Sequence, residues 1–187
     1  MRNTRVLAVL WLVVIAGAGC QSTGSGGGFW SSPVKVGDEI EIKQDITIPS
    51  GLARVYLQHG KITGYGGANQ YEPFCYFVMH EPLPVGQTIR PGVLQIEHVW
   101  LNETDVRLNT PVRLAALASV IGGNRMPIAH QFHIRLKSAE QPDVRLLVCS
   151  GAFDMPIAAK PIRLPEMREA LGTYAEVRVL SGLPAGQ

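Results

Sequence analysis

His130-Gln131-Phe132-His133 is the stretch of this chain whose spacing comes nearest to a metal site. On a strand, side chains three positions apart point to opposite faces, so one ion could take both imidazoles only if His130 lay in the turn before the strand. His59, His80 and His98 are scattered. All five read as surface imidazoles, and no metal is expected. His80-Glu81 and Glu97-His98 set a carboxylate beside an imidazole. Acid–base work needs both groups within hydrogen-bond reach of the reacting proton, and neighbouring strand residues face apart, so neither is a ready-made dyad. The Gly-x-Ser-x-Gly elbow of serine hydrolases does not occur: Gly24-Ser25-Gly26 lies in a Gly/Ser-rich stretch, and Ser150 follows Cys149 without the first glycine. Walker, dinucleotide-binding and HExxH patterns are missing too. Gly64-Tyr65-Gly66-Gly67 has glycines fit for cradling phosphate, but no helix-forming segment follows to complete such a site. It reads as a tight turn between strands. The expectation is a protein that is not an enzyme and carries no cofactor.

The cysteines carry more information. Arg2 and Arg5 precede an uncharged apolar run at residues 6–18 (VLAVLWLVVIAGA), which ends at Gly19-Cys20-Gln21-Ser22. A spanning helix needs about 20 apolar residues, so residues 1–19 are expected to be a signal peptide. Ala16-Gly17-Ala18-Gly19-Cys20 resembles the lipobox of bacterial lipoprotein precursors, in which the cysteine receives diacylglycerol and becomes the first mature residue. Gly17 departs from that pattern, where leucine is usual. Ala16-Gly17-Ala18 also fits ordinary cleavage after Ala18. The resemblance implies lipid attachment at Cys20 and membrane contact through that lipid. Gln21, standing where aspartate would signal inner-membrane retention, implies the outer membrane, facing the periplasm. With Cys20 acylated, Cys75 and Cys149 remain an even pair for an oxidising compartment. Lying far apart in sequence, they lack the C-x-x-C arrangement of a redox pair, so a structural disulfide is expected.

Of the 17 Lys and Arg, two fall in the leader, while all 15 Asp and Glu lie beyond it, so residues 20–187 are formally neutral. Nucleic-acid binding requires a basic face that displaces counterions, and no Lys/Arg run exists to build one. Residues 20–33 are Gly- and Ser-rich and read as a lipid-attached flexible tether. Phe29-Trp30 within it suits either a bilayer interface or the edge of the domain.

From residue 34 the elements that must position everything else are mostly strands. Val36, Ile40, Ile42, Ile46 and Ile48 fall on even positions. Val55/Leu57, Phe132/Ile134/Leu136, Val144/Leu146/Val148 and Ala175/Val177/Val179 repeat the period of two, as half-buried antiparallel strands do. Residues 74–79 and 93–101 are apolar at both parities and read as strands buried on both faces. Residues 165–171 open with Pro and Glu and stop at Gly172, the start and stop signals of a helix, and residues 112–121 (VRLAALASVI) suggest a second. The expected fold is mainly β: an antiparallel sandwich or partly closed barrel of about seven strands with one or two short helices, in a single domain over residues 34–187. Residues 64–77 (GYGGANQYEPFCYF) form the most contact-like segment. Phe74 and Phe77 belong to the core there, while Tyr65, Asn69 and Tyr71 are candidates for an interaction loop.

Ala53-Arg54-Val55-Tyr56-Leu57-Gln58, Gln70-Tyr71-Glu72-Pro73-Phe74-Cys75, Cys149 and the Leu-Pro-Glu-Met-Arg-Glu-Ala-Leu-Gly stretch at 164–172 together resemble a family of small exported proteins and lipoproteins of proteobacteria, over residues 36–180. That resemblance implies an envelope location and a paired Cys75 and Cys149. It implies no activity. The functional expectation is a cell-envelope lipoprotein acting as a non-enzymatic accessory or interaction module with an envelope protein partner. The alternative is a small-ligand carrier with a pocket in its β-structure.

Overall fold

The computed structural model describes residues 31–105 and 126–180. The expected signal segment, Cys20, Phe29-Trp30 and the helix expected over residues 112–121 lie outside the described residues. In chain order the elements are β1 (Glu39–Ile42), β2 (Ile46–Ile48), β3 (Arg54–Gln58), β4 (Lys61–Thr63), β5 (Phe74–Met79), β6 (Gln87–Ile89), β7 (Gly92–Asp105), β8 (Ile128–Lys137), β9 (Val144–Ser150), α1 (Leu164–Leu171) and β10 (Ala175–Arg178). Eight strands make one antiparallel, half-barrel sheet in the order β10-β1-β7-β8-β9-β5-β3-β4, and β2 pairs with β6 as a small second sheet. The mainly β, antiparallel expectation holds. Ten strands are described rather than about seven, for two reasons. The three-residue strands β4 and β6 are too short to show a period, and the run of isoleucines divides in space. At that division the Lys43 N–H donates to the Tyr174 carbonyl at 2.8 Å, and the chain leaves the large sheet for the small one. Ile40, Ile42, Ile46 and Ile48 are buried, whereas Val36 lies before the first strand and is exposed.

One face of the large sheet packs on α1 and on the β2–β6 pair. Met167, Ala170 and Leu171 of α1 face inward at helical spacing. The Glu166 carboxylate accepts the Arg163 N–H at 2.8 Å and the Arg163 guanidinium at 2.6 Å, which satisfies an amide at the helix start. Asp38, fully buried, accepts the N–H of Lys35 at 2.7 Å and of Leu180 at 2.8 Å, tying the two ends of the described domain together.

Two bulges change which parity of a strand faces the core. In β7, Ile96 opposes Leu136 but His98 opposes Arg135, so Glu97 is the extra residue. Leu94 and Ile96 face the core before the bulge, and Val99 and Leu101 face it afterwards. The sequence reading of 93–101 as doubly buried is therefore corrected. The segment has one core face whose parity changes midway, and Val93 stands 40% exposed. A shift between Val78 and Met79 also corrects the reading of Val144, Leu146 and Val148 as one alternating face of a half-buried strand. It leaves Val144, Leu147 and Cys149 in the main core and turns Leu146 and Val148 to the opposite face. β5 and β9, at the middle of the sheet, bury apolar side chains on both faces along most of their length.

Cys75 and Cys149 oppose each other in the β5–β9 ladder, with Cα atoms 4.1 Å apart and sulfurs 2.08 Å apart, as a disulfide within the core. It closes a loop of 74 residues, worth roughly 4 kcal/mol in the chain-entropy account. Cys75→Ser is expected to lower the melting temperature by many degrees in calorimetry, and a reducing agent should lower that of the parent chain equally. Two free thiols titrated in protein made in an oxidising compartment would overturn this. Phe77 is completely buried beside the disulfide, and Phe77→Ala should cost about 3–5 kcal/mol in denaturant unfolding.

Candidate functional site

The expected interaction loop is a built structure. Gln58, a polar residue at the end of β3, is buried. Its amide donates to the Asn69 carbonyl at 2.9 Å, and its side-chain carbonyl accepts the Asn69 N–H at 2.8 Å. Weaker reaches to the carbonyls of Pro73 and Glu72, at 3.3 and 3.4 Å, hold the remainder of the loop. The Asn69 side chain accepts the Tyr71 N–H at 3.1 Å, an Asx turn that uses the carboxamide locally. Tyr71 is presented to solvent at 66% exposure. Tyr65 begins a short 3-10 turn (Tyr65–Gly67), consistent with the expected turn between strands. Of the three expected contact residues, Tyr71 is thus displayed and Asn69 shapes the loop that displays it.

Beside that loop sits a feature the sequence did not signal. His59 and Gly60 are the two central residues of the β3–β4 hairpin, with φ of +50° and +68°, the signs required by the hairpin turn that matches strand twist. The Gly60 N–H donates to the Ala170 carbonyl at the end of α1, and a Cβ placed on Gly172 would overlap the Gly60 Cα. This close approach gives the Gly-rich ends of both elements their purpose. His59 Nε2 lies 2.7 Å from Glu72 and Nδ1 lies 3.0 Å from Glu169, so one imidazole joins hairpin, loop and helix. The bond to Glu72, and secondarily that to Glu169, holds the His59 pKa above its ordinary 6.5. Protonated, His59 donates from both ring nitrogens to the two carboxylates and acts as a clasp.

The face of the sheet opposite the main core carries a row of rings. Ladder pairing aligns Tyr56, Tyr76, Val148, His133 and Trp100 across five strands. Tyr56 and Tyr76 have ring centroids 4.9 Å apart, Trp100 stacks on His133 at 5.1 Å and on His98 at 5.4 Å, and Arg54 lies over Tyr76 at 5.6 Å. His133, expected as a surface imidazole, is half-buried against Trp100. Burial, with the nearby Arg54 charge second, pushes its pKa down. His130 lies inside β8 rather than in the turn before it, so the two histidines project from opposite faces. Among the described residues no three His, Cys, Asp or Glu side chains gather as metal ligands. His80-Glu81 and Glu97-His98 form no hydrogen-bonded dyad among the described contacts.

Exposed apolar side chains gather at the other end of β3. Leu52, 50% exposed, and Ile62 line one groove of about 590 Å³ together with Arg54, Tyr56, Pro49 and Pro82. The Gly51 N–H donates to the Leu83 carbonyl at 2.7 Å, which ties the turn before β3 to the stretch after β5. A second groove runs between residues 31–33 and the stretch before α1, where the chain enters the domain. Nothing matches this chain among family models, curated proteins or solved structures.

The clasp has a defined pH signature. A histidine whose folded pKa is raised contributes stability that is complete below its unfolded value and is lost as pH rises through the folded one. In NMR titration, His59 should show a midpoint above 6.5. Glu72→Gln should lower that midpoint more than Glu169→Gln, and an unshifted His59 in the parent chain would rule the clasp out.

Proposed function

We propose that the protein is a lipid-anchored component of a bacterial cell envelope whose β-rich domain is a non-enzymatic interaction module. In this reading residues 1–19 are removed, Cys20 carries the lipid, and the anchor lies in the outer membrane with the domain in the periplasm. Three acyl chains exceed the two-signal threshold for stable anchoring. The observation that carries the module reading is the apolar groove beside β3. Leu52 and Ile62, both exposed, line it together. Exposed apolar side chains that cluster mark contact surfaces, while scattered ones need no explanation. The disulfide at the sheet's centre suits an oxidising compartment, and the resemblance to small proteobacterial lipoproteins points the same way.

Anchoring is tested by fractionation with lipid labelling. The parent chain should incorporate labelled palmitate and sediment with outer membranes, and Cys20→Ala should leave a precursor or a soluble product. Globomycin, which blocks the lipoprotein signal peptidase, should cause the lipidated precursor to accumulate. Normal maturation under the drug, without label, would refute the assignment.

A further inference from the structure

The groove lies at an unfinished edge of the large sheet. β4 ends at Thr63, opposite Tyr56, so the ladder supplies no outer partner for Arg54 and Val55. The Ala53 carbonyl faces β5, where it accepts the Met79 N–H at 2.8 Å. Backbone polar groups alternate sides along an antiparallel strand, so the N–H and C=O of Arg54 point outward, into the line β4 would have followed. Across the groove stand Thr47 of β2 and Pro49. β2 packs close beside β3, so the room for a further strand lies along the outer edge of β3, beyond the end of β4.

The walls define the occupant. Its apolar side chains would meet Leu52, Ile62 and Tyr56, and among the described residues Arg54 is the one charged residue lining the groove. Arg54 is exposed, stacks over Tyr76 and has no carboxylate partner among the described ion pairs. The other flank of the sheet is closed by contrast. There Glu41, Lys43, Glu176 and Arg178 form a paired charge network across β1 and β10, the kind of edge that discourages strand addition. We infer that the groove along the outer edge of β3 binds an extended, apolar segment of a partner protein as an added β-strand, with an Asp or Glu of that segment on Arg54. Main-chain hydrogen bonds to Arg54 supply affinity, and the alternate side chains and the acidic residue supply selectivity. The proposal rests on the interaction-module reading and names the partner's chemistry.

The test uses the full chain purified in detergent and a displayed library of random peptides of about ten residues, the upper range of strand length. Selection should enrich alternating apolar sequences that contain Asp or Glu. A synthetic consensus peptide should bind the parent chain, and Arg54→Glu and Ile62→Arg should each weaken it roughly tenfold or more, a loss of about 1.4 kcal/mol. Tyr71→Ala should leave binding unchanged. N-methylation of alternate peptide amides should abolish it, an arm that needs no protein variant, while melting temperatures check the fold of the others. An empty selection, or binders indifferent to Arg54→Glu and Ile62→Arg, overturns the groove assignment. Binders that depend on Tyr71 overturn it while leaving the module reading intact. Self-association that Ile62→Arg abolishes makes a second copy the occupant and overturns it as well. The anchoring experiment is independent, so either result stands without the other.

Discussion

Pairing between β5 and β9 fixes most of what surrounds it. In that register Cys75 meets Cys149 and Phe77 meets Leu147 on the core face, while Tyr76 meets Val148 and Val78 meets Leu146 on the other. A slip of one residue would exchange the faces, bringing a tyrosine against α1 and opening the disulfide. The covalent bond and the apolar packing thus select the same register, each excluding the alternatives the other leaves. The remaining strands are arranged outward from this pair: β3 and β4 on one side, β8, β7, β1 and β10 on the other. Near the middle the sheet buries both faces, which is where the ring row of Tyr56, Tyr76 and His133 lies.

The two ends of the sheet meet the problem of unpaired backbone differently. At β10, Glu41 and Glu176 oppose each other directly, an unfavourable pair by itself. Lys43 lies between them and Arg178 reaches Glu41, so repulsion becomes a compensated network. Hydrogen bonding to Glu41, then to Glu176, raises the Lys43 pKa, and Lys43 depresses that of Glu176. Such exposed pairs add little stability each, but they surround the edge with charge. At the opposite end the chain protects only three residues of β3, with a short strand that itself begins at Lys61. The contrast within one sheet is what makes the bare backbone of Arg54 informative.

How much of this was legible in the sequence follows from the range of the interactions involved. The period of two in Ile40/Ile42, Val55/Leu57 and Phe132/Ile134/Leu136 located strands and their core faces, because face selection is local to a strand. The helix at 164–171 was legible from Pro165 and Gly172 for the same reason. Bulges were not, since an extra residue such as Glu97 is defined only against its partner strand. A one-faced strand with a bulge and a two-faced strand give the same apolar pattern. β4 and β6 were illegible because three residues make no period. The site fared less well. Tyr71 and Asn69 were marked by a Tyr- and Gly-rich composition, but Gln58, His59, Arg54 and Leu52 owe their roles to neighbours distant in sequence. Even the His59-Gly60 turn at the end of β3 is defined only by the helix end and loop that it meets.

That turn links the fold's interior to its open edge. Ile62 and Thr63, which form one wall of the groove, belong to the hairpin whose tip rests on the end of α1. The tip is held by the Gly60 N–H, by the absence of any Cβ at Gly172 and by His59 between two carboxylates. Displacing the helix end would therefore shift the hairpin and alter the spacing between β4 and β2. Met167, Ala170 and Leu171 root α1 in the same core that holds the disulfide, so the groove's width is set by packing rather than by loop conformation. A strand-binding edge needs that rigidity, because each main-chain hydrogen bond gained there must exceed the entropy lost in ordering the incoming segment. A preformed gap lowers that cost from the protein's side, and the packing of α1 beneath the hairpin is what supplies it.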